Sequence, residues 1–511
     1  MVDVLRADSG ELGTVVSTWD GPCTGHFAFV LSTNSVRQGQ FVAAETEQGM
    51  LIGQIVEITR ANRYFERAES VSEYEKTAPM MDSFPVTDWE YTVANAKALG
   101  IFKPRGSGGI QRSTFPAAPG SKVVAVDAGI LKEFLGFVEN GLQLGEIEHH
   151  HLPAKVDMTR LLQKHLAILA MSGAGKSYLA SVLMEEMLDR KVEHGRMAVV
   201  VVDPHGEYLG FKYGEYADRT SVFDGRKVRI AFHKVTPGML FEFMTELSAT
   251  QKRELEKALY ELREESKQKQ AGYGLDDLMA KIEGSDIKDN IKGPMMAWLS
   301  QLRKLRLFGE ADYPSMKEMA RPGRLSILDL SEMDNNKKKQ MLVSYFAKKL
   351  LRLRKKEKVP PFVLVVEEAH NFAPEKAQKG NAISKGIITT IAREGRKFGA
   401  SLCLISQRPV QLSTTALSQC NSNIILRVTN PFDIDHIGES CEGVDKSMLS
   451  SITTLRVGEA LVLGEALNHP VFVRIRRKRS RDSPKGEGLE AMARRFDKGE
   501  EKKKKDVEAF L

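Results

Sequence analysis

Two patterns of apolar and polar positions divide the chain. Up to about residue 150, short apolar or alternating runs such as 27–31 and 51–56 are separated by Gly, Asp and Asn, which is typical of the strands of a small barrel or sandwich. From about residue 155, runs that are apolar throughout alternate with helix-patterned segments, which indicates a parallel sheet with helices on both faces. The predicted buried strands are 166–169, 198–202, 228–232, 325–328, 362–366, 402–405 and 424–428.

The first of these strands leads into a loop of small residues, Ala170 to Gly175, followed by Lys176 and Ser177 and then a helix pattern. Small residues let several backbone N–H groups converge on phosphate oxygens at the N-terminus of a helix. This is the context of a phosphate-binding P-loop, in which Lys176 reaches the β- and γ-phosphates and the Ser177 hydroxyl binds Mg²⁺. The alternative is an ordinary turn between a strand and a helix. The predicted nucleotide-binding residues are Ser172, Gly173, Ala174, Gly175, Lys176, Ser177 and Tyr178.

One position departs from the usual P-loop pattern. Ala170 stands where the motif has its first glycine. Alanine is tolerated there if its backbone φ is negative, so we still expect nucleotide binding.

Acidic residues follow two of the predicted strands. Strand 362–366 ends in Glu367 and Glu368. In a P-loop ATPase the first acid holds Mg²⁺ through water and the second, here Glu368, orients the attacking water; the alternative is a pair of exposed acids. Strand 198–202 ends in Asp203, which either contributes near the metal or caps the turn.

Three further polar residues are candidates for catalysis. Gln407 follows the strand at 402–405 and either senses the γ-phosphate or belongs to a buried polar network. Arg393 and Arg396 are three residues apart, so they share roughly one helical face. An arginine from a neighbouring subunit can stabilise the transition state of phosphoryl transfer, and Arg393 is preferred over Arg396 for that role. The alternative is a salt-bridged surface helix.

The rest of the chain predicts accessory parts. Residues 237–322 are charged and helix-patterned, 455–477 read as a β-hairpin, and the last thirty residues read as flexible. We therefore expect an N-terminal barrel-like domain (1–153), an ATPase core in two parts (154–236 and 323–478), a helical insert (237–322) and a charged tail (479–511). His149–His151 are expected in a domain-boundary loop rather than on a metal.

Composition restricts the class of protein. The 511 residues are 42% hydrophobic and 28% charged, with a formal net charge of +7, which is usual for a globular protein. Every apolar run falls short of the roughly 20 residues that a membrane span needs. Four scattered cysteines favour a reducing, cytoplasmic setting over a zinc site. The basic runs at 474–481 and 502–505 are typical of solvated tails, although a polyanionic partner would also suit them.

The order of the segments AMSGAGKS, VVVDPHGEY, VVEEAHNFAP, IAREGRKFG and ISQRP resembles the HerA family of DNA-translocating ATPases, in the FtsK–HerA group, over about 155–475. The resemblance implies a RecA-like core in a ring of six, translocation on double-stranded DNA with ATP and Mg²⁺, and a NurA-type nuclease partner in DNA end processing and double-strand-break repair. It assigns nucleotide and Mg²⁺ binding to Lys176 and Ser177, catalysis to Glu368 and the finger acting in trans to Arg393. Two other functions stay open, a type IV secretion or conjugation motor and an ATP-gated DNA clamp that recruits a nuclease.

Translocation on a duplex requires cations on loops that face the DNA phosphates. The loop after the acidic strand, 371–386, contains Lys376, Lys379 and Lys385. Because this loop follows Glu368 directly, we expect it to respond to hydrolysis and to contact DNA.

Overall fold

The N-terminal region is a closed antiparallel barrel. The computed structural model describes residues 10–17, 21–77, 89–103, 109–270, 272–376, 382–483, 490 and 492–496. Seven strands form the first sheet: β1 Glu11–Val16, β2 His26–Leu31, β3 Phe41–Thr46, β4 Gly49–Asn62, β5 Glu90–Phe102, β6 Ile110–Gln111 and β7 Lys122–Ala125. Six of them close on themselves in the order β2-β1-β7-β3-β4-β5, because β2 also pairs with β5, and β6 extends from β5. The predicted small barrel is confirmed.

The larger part of the chain is built on one sheet of eleven strands. Its order is β12-β15-β11-β16-β17-β10-β18-β19-β20-β8-β9. The strands from β12 to β18 are parallel, and the remaining pairs are antiparallel. The strands are β8 Leu142–Ile147, β9 Pro153–Val156, β10 Leu166–Leu169, β11 Ala198–Asp203, β12 Thr220–Asp224, β15 Leu325–Asp329, β16 Phe362–Val366, β17 Ala400–Ser406, β18 Ser422–Ile425, β19 Glu459–Gly464 and β20 Val471–Ile475.

Helices cover both faces of this sheet, as expected for parallel strands that are apolar throughout. Every residue of β10, β16 and β17 is buried, and separate clusters of buried apolar side chains lie on the two faces. The helices are α1 Ala68–Thr77, α2 Ala128–Leu135, α3 Met158–Leu162, α4 Lys176–Leu188, α5 Pro237–Phe243, α6 Ala249–Lys269, α7 Leu275–Glu283, α8 Asp289–Lys304, α9 Met316–Met319, α10 Asn336–Lys355, α11 Lys385–Glu394, α12 Thr414–Leu417, α13 Pro431–Ser440 and α14 Lys446–Thr454. The predicted α/β core is confirmed.

The insert contains helices α5 to α9, as predicted. Their apolar faces belong to the same buried cluster as one face of the large sheet; Leu259, Leu278 and Leu299 are members. The long helix α6 begins with a capping box, in which Ser248 and Gln251 satisfy each other's backbone N–H groups. The insert therefore packs onto the core.

One strand prediction is wrong, and one edge strand was not predicted. Residues 228–232 do not form a central strand: only Ile230–Ala231 (β13) is extended, and it pairs with Phe308–Gly309 (β14) outside the large sheet. The apolar residues there are buried against the helical insert, and a buried apolar run does not by itself specify sheet pairing. The edge of the sheet is instead β12, which the sequence pattern missed.

The change from barrel to core lies earlier than the predicted boundary at residue 153. The segment of β8, which the sequence pattern assigned to the barrel, pairs with β20 and β9 in the large sheet. The first sheet ends at Ala125 and the second begins at Leu142. Strand alternation cannot reveal which sheet a strand joins, because that depends on pairing with residues near the other end of the chain.

The three consecutive histidines lie at the seam between barrel and core. His149–His151 follow β8 in the turn that leads to β9, and the Nε2 atom of His150 accepts a hydrogen bond of 2.9 Å from the backbone N–H of Phe41 in the barrel. Burial lowers the pKa of His150 to about 4, so its ring is neutral and can accept this bond. No group of three or more His, Cys, Asp or Glu side chains suited to a metal ion exists among the described residues.

A candidate nucleotide-hydrolysis site at the carboxyl edge of the sheet

The predicted site residues meet because parallel strands end at a common edge. Strand β10 leads into the P-loop, its neighbour β17 ends one residue before Gln407, and the next strand, β16, ends directly before Glu367 and Glu368. Strand β11 beyond it ends in Asp203. Ligand sites of open α/β sheets form at this edge, and the fold therefore assembles residues that are far apart along the chain.

The loop after β10 has the backbone that phosphate binding requires. Gly173 and Gly175 have φ values of +77° and +102°, conformations that residues with a side chain rarely adopt. Ala170 is fully buried and does not have a positive φ, so the alanine in place of the first glycine causes no strain. Helix α4 begins at Lys176, and its free N-terminal N–H groups and dipole favour an anion in the loop.

The lysine and both acids form a compact buried cluster. The Lys176 Nζ atom lies 3.5 Å from Glu368 Oε1 and 3.9 Å from Glu367 Oε1. All three side chains are at most 7% exposed. Glu368 has φ +48°, a left-handed conformation that is strained for a residue with a side chain and is concentrated at functional sites. The alternative of two exposed acids is therefore excluded.

Glu367 is a buried acid with a raised pKa and one oxygen that has no hydrogen-bond partner among the described residues. Burial raises its pKa to about 8, although a hydrogen bond of 2.5 Å from the Tyr208 hydroxyl and the charge of Lys176 act in the opposite direction. Its Oε1 atom has no hydrogen-bond partner in the described structure. A buried, unpaired oxygen beside the P-loop lysine fits Mg²⁺, which keeps several waters and needs only one or two protein ligands.

Asp203 caps the turn that follows its strand. Its Oδ1 atom accepts the backbone N–H groups of His205, Gly206 and Glu207, and its Oδ2 atom accepts that of Tyr208 at 2.9 Å. The carboxylate is fully buried. Of the two roles that the sequence left open, the structure shows the cap, and the cap places Tyr208 against Glu367.

An open cleft of about 740 Å³ contains most of the predicted site. Its walls include Glu368, Gln407 and every predicted nucleotide-binding residue from Ser172 to Tyr178 except Ala174, which is buried. Three further lining residues are unexpected, because Lys478 belongs to the basic run at 474–481 and Asp482 and Ser483 follow it directly.

The basic run is an ordered strap rather than a solvated tail up to residue 483. We call residues 476–483 the C-terminal strap; it lies along α4. The backbone N–H of Lys478 donates to the Tyr178 hydroxyl at 2.8 Å, and the Lys478 ammonium lies over the Tyr178 ring. Farther along, Ser483 bonds to the backbone of Gly210 and Glu207 in the turn that Asp203 caps.

Glu185 on α4 anchors the strap. This fully buried carboxylate accepts hydrogen bonds from Arg476 at 2.8 Å and from the backbone N–H groups of Arg479 and Ser480. Burial alone would raise the pKa of Glu185, but the bonds from Ser480, Arg476 and Arg479 outweigh it, and the pKa is lowered. No local pattern in the sequence indicates the strap, because its anchor belongs to the P-loop helix in the first half of the chain.

The two arginines considered for the finger do not line the cleft of their own chain. Arg393 lies in the last turn of α11 and Arg396 in the 3₁₀ turn after it, and both are exposed. Within the described part of the chain, no ion pair or hydrogen bond engages either guanidinium, whereas the adjacent Glu394 pairs with Lys355 at 2.6 Å. This placement leaves both arginines available to another molecule.

The lysines of the loop after β16 differ from one another. Lys376 is exposed, whereas the ammonium of Lys385 donates to the backbone carbonyl of Glu375 at 2.9 Å. Lys379 lies outside the described residues.

Sequence reasoning missed two residues that contact Glu367 and Glu368. Tyr208 bonds to Glu367, and His370 Nδ1 lies 3.4 Å from Glu368 Oε2. Both stand inside the segments DPHGEY and EEAH, but nothing in their local pattern indicates which acid they meet.

The phosphate loop, the paired acids and the parallel sheet between them define a P-loop ATPase with a RecA-like core. The model of the HerA helicase central domain matches residues 142–350. A DNA double-strand break repair helicase HerA of Pyrococcus furiosus is 26% identical over 500 residues, which cover 86% of this chain and 88% of that protein. A probable helicase of Methanocaldococcus jannaschii is 28% identical over 468 residues, with 87% of each chain covered. Over most of its length, this chain is therefore similar to helicases of the HerA family.

Among solved structures, VirB4 of Thermoanaerobacter pseudethanolicus superposes with a TM-score of 0.53 at 15% identity, covering 66% of this chain and 97% of that one. This likeness concerns the fold. No helix in the described ranges is long and apolar enough to cross a membrane.

Proposed function

We propose that this protein is a ring-forming DNA translocase and helicase that hydrolyses ATP with Mg²⁺ and works on double-stranded DNA ends. The observation that carries the proposal is the division of the catalytic groups. Lys176 and Glu368 share one cleft, while Arg393 and Arg396 stand exposed elsewhere on the same chain. Phosphoryl transfer gains from an arginine at the γ-phosphate, so a second subunit must supply it if either arginine takes part.

Each residue of the cleft has a role in this proposal. Lys176 leaves the acids and binds the β- and γ-phosphates, while Ser177 and Glu367 hold Mg²⁺. Glu368 then orients the attacking water, and Gln407 senses the γ-phosphate. The raised pKa of Glu367 supports this assignment, because a cation would restore its charged form.

Action on DNA ends is proposed from the relatives whose names state double-strand break repair, and the NurA-type nuclease partner is proposed from the family resemblance. The ring size of six comes from the family resemblance. In such a ring, Lys376 and its neighbours Lys379 and Lys385 would face the duplex, although Lys385 must first release the carbonyl of Glu375.

The experiment combines DNA-dependent hydrolysis with subunit mixing. We expect ATPase activity to rise when linear duplex DNA is added, and a mass measurement to give a hexamer. Lys176→Ala and Arg393→Ala subunits should each be inactive alone. Mixed before assembly, they should regain activity, because some interfaces then combine an intact Lys176 with an intact Arg393.

Arg396→Ala is the matched control in the mixing experiment. If Arg396→Ala rather than Arg393→Ala complements Lys176→Ala, the finger is Arg396. If neither complements, the site is not shared between subunits. Absence of stimulation by DNA would contradict the translocase, and strand displacement only after nuclease addition would indicate the DNA clamp.

A further inference from the structure

The carboxylate of Glu368 has one oxygen that the nucleotide site does not account for. Its Oε1 atom faces Lys176, but its Oε2 atom is buried and has no hydrogen-bond partner in the described structure. A buried oxygen without a donor is costly. When phosphate takes Lys176, the carboxylate also loses its contact at Oε1.

His370 can supply the missing hydrogen-bond donor to Glu368 Oε2. It follows Glu368 in a 3₁₀ turn and is 9% exposed. Its Nδ1 atom lies 3.4 Å from Glu368 Oε2 and 3.1 Å from the Ser406 hydroxyl oxygen. A single ring nitrogen therefore faces two acceptors, one of them the unpaired oxygen.

Ser406 connects this histidine to the neighbouring strand. It is the last residue of β17, is fully buried, and accepts the backbone N–H of Arg408 at 3.0 Å. Gln407 lies between them and lines the nucleotide cleft. If the γ-phosphate displaces Gln407, the adjacent Ser406 hydroxyl group that His370 contacts must shift with it.

We propose that His370 is a positioning residue: its Nδ1–H group is shared between Ser406 and Glu368, and it fixes the water-orienting carboxylate according to the state of the Gln407 loop. With Lys176 on the phosphates, Nδ1–H donates to Glu368 Oε2. Without nucleotide, it donates to Ser406 and leaves the carboxylate with the lysine. The inference rests on the proposed role of Glu368.

The charge state of the histidine agrees with this geometry. Burial, followed by the charges of Arg408, Lys176 and His205, lowers the pKa of His370, although Glu368 acts in the opposite direction. The ring is therefore neutral at pH 7 and has one N–H donor, which can bond to either acceptor.

Three substitutions at one position separate positioning from packing. In His370→Asn the amide N–H can occupy the place of Nδ1–H, in His370→Gln the donor lies farther out, and His370→Leu has none. We expect His370→Leu to lower kcat for ATP about 10- to 100-fold with KM changed less than about twofold, because the lost contact acts on the attacking water. His370→Asn should recover most of the loss and His370→Gln should not.

A role in packing predicts the opposite order, because Leu and Gln fill more of the histidine's volume than Asn does. Equal kcat for the Asn and Leu variants, or a loss confined to KM, would overturn the proposal. Thermal unfolding of each variant shows whether the comparison is between folded proteins. If the leucine variant does not fold, the comparison of His370→Asn with His370→Gln still distinguishes positioning from packing.

Ser406→Ala tests the link to the strand. We expect kcat to change much less than in His370→Leu, because Nδ1–H is then free to donate to Glu368, and we expect no further loss when Ser406→Ala is added to His370→Leu. Additive losses would contradict the link.

Glu368→Gln distinguishes the two levels of the argument. If this variant hydrolyses ATP normally, the proposed role of Glu368 fails and that of His370 fails with it. If it is inactive while all three His370 variants match the wild type, only the positioning role fails.

Discussion

Buried acids at two places near the P-loop helix differ in whether their oxygens accept hydrogen bonds. Glu367 and Glu368, at the parallel edge of the sheet, each keep one oxygen without a hydrogen-bond partner among the described residues, and the pKa of Glu367 is raised to about 8. Glu185, on α4, is equally buried, but it accepts hydrogen bonds from Arg476, Arg479 and Ser480, and its pKa is lowered. Satisfied acids stabilise a fold, whereas unsatisfied acids indicate a ligand that is still to bind.

The largest effect should come from removing the cation between the unsatisfied acids. Lys176→Ala leaves Glu367 and Glu368 without a positive charge and removes the contact with the β- and γ-phosphates. We expect ATP hydrolysis to fall at least about 100-fold. Steady-state ATPase assays and binding of a fluorescent nucleotide measure the two parts of the effect.

Lys478→Ala is the matched change on the strap, where the ammonium pairs with Asp482. Because this lysine is already paired and partly exposed, we expect a change of less than about tenfold, mainly in KM. Equal losses in the two variants would show that the strap is as important for hydrolysis as the P-loop.

The second effect concerns the satisfied acid. Arg476→Ala removes a partner of the buried Glu185 and should lower the free energy of unfolding by about 2–3 kcal/mol. Arg477→Ala is the control, because its side chain is exposed and should matter by less than about 0.5 kcal/mol.

The pH dependence of this effect follows from the lowered pKa of Glu185. A carboxyl group whose pKa is lowered by folding stabilises the protein at pH values above its ordinary pKa of 4.5. This contribution is lost as the pH falls through the lowered pKa of the folded state. The difference between wild type and Arg476→Ala should therefore shrink below about pH 4.5. Urea unfolding at pH 4 and pH 7 would reveal it, and a difference that grows at low pH would contradict it.

The acid pair at the sheet edge and the strap bound by Glu185 also differ in how far they could be predicted from the sequence. The P-loop and the acid pair are contiguous motifs at strand ends, and parallel pairing then brings Lys176 and Glu368 together without further information. The strap could not be predicted, because Glu185 and Arg476 lie on different elements and meet only through tertiary packing. The edge strand β12 and the assignment of β8 were missed for the same reason: hydrophobic periodicity records burial, not the identity of the neighbouring strand.

The contacts of Tyr208 and His370 with the two acids could not be predicted from the sequence either. Each belongs to a segment that was singled out, but their contacts with Glu367 and Glu368 depend on the turn that Asp203 caps and on the left-handed backbone of Glu368. Turn geometry of this kind leaves no periodic signal.

A third, smaller effect should be a stabilisation. Folding raises the pKa of Glu367 from 4.5 to about 8, so between these pH values the folded protein holds a proton that the unfolded chain releases, and stability falls as the pH rises. Glu367→Gln removes this penalty and keeps the shape. Without nucleotide and Mg²⁺, we expect this variant to exceed the wild type in the free energy of unfolding by at least about 1 kcal/mol at pH 8 and by less at pH 5.

The same variant should lose the stabilisation that Mg²⁺ and nucleotide confer on the wild type, because an amide is a weaker ligand than a carboxylate. Thermal unfolding at both pH values, with and without MgATP, measures both effects. If Glu367→Gln is less stable than the wild type at pH 8, the Glu367 carboxylate stabilises the fold, and the contrast with Glu185 is wrong.

The smallest effect tests an ion pair that is neither buried nor catalytic. Lys97 in the barrel lies 2.7 Å from Asp445 at the start of α14, and the two side chains are 44% and 35% exposed. Asp445 also caps α14 through the backbone N–H of Met448, so the lysine is the side to change. We expect Lys97→Met to cost about 0–1 kcal/mol at low salt and nothing measurable in about 1 M salt, because exposed pairs are weak and screened. Apolar burial at the seam, including Phe41 and Phe102, should hold barrel and core together; a loss above about 2 kcal/mol would instead make this pair comparable with the buried contact of Arg476 and Glu185.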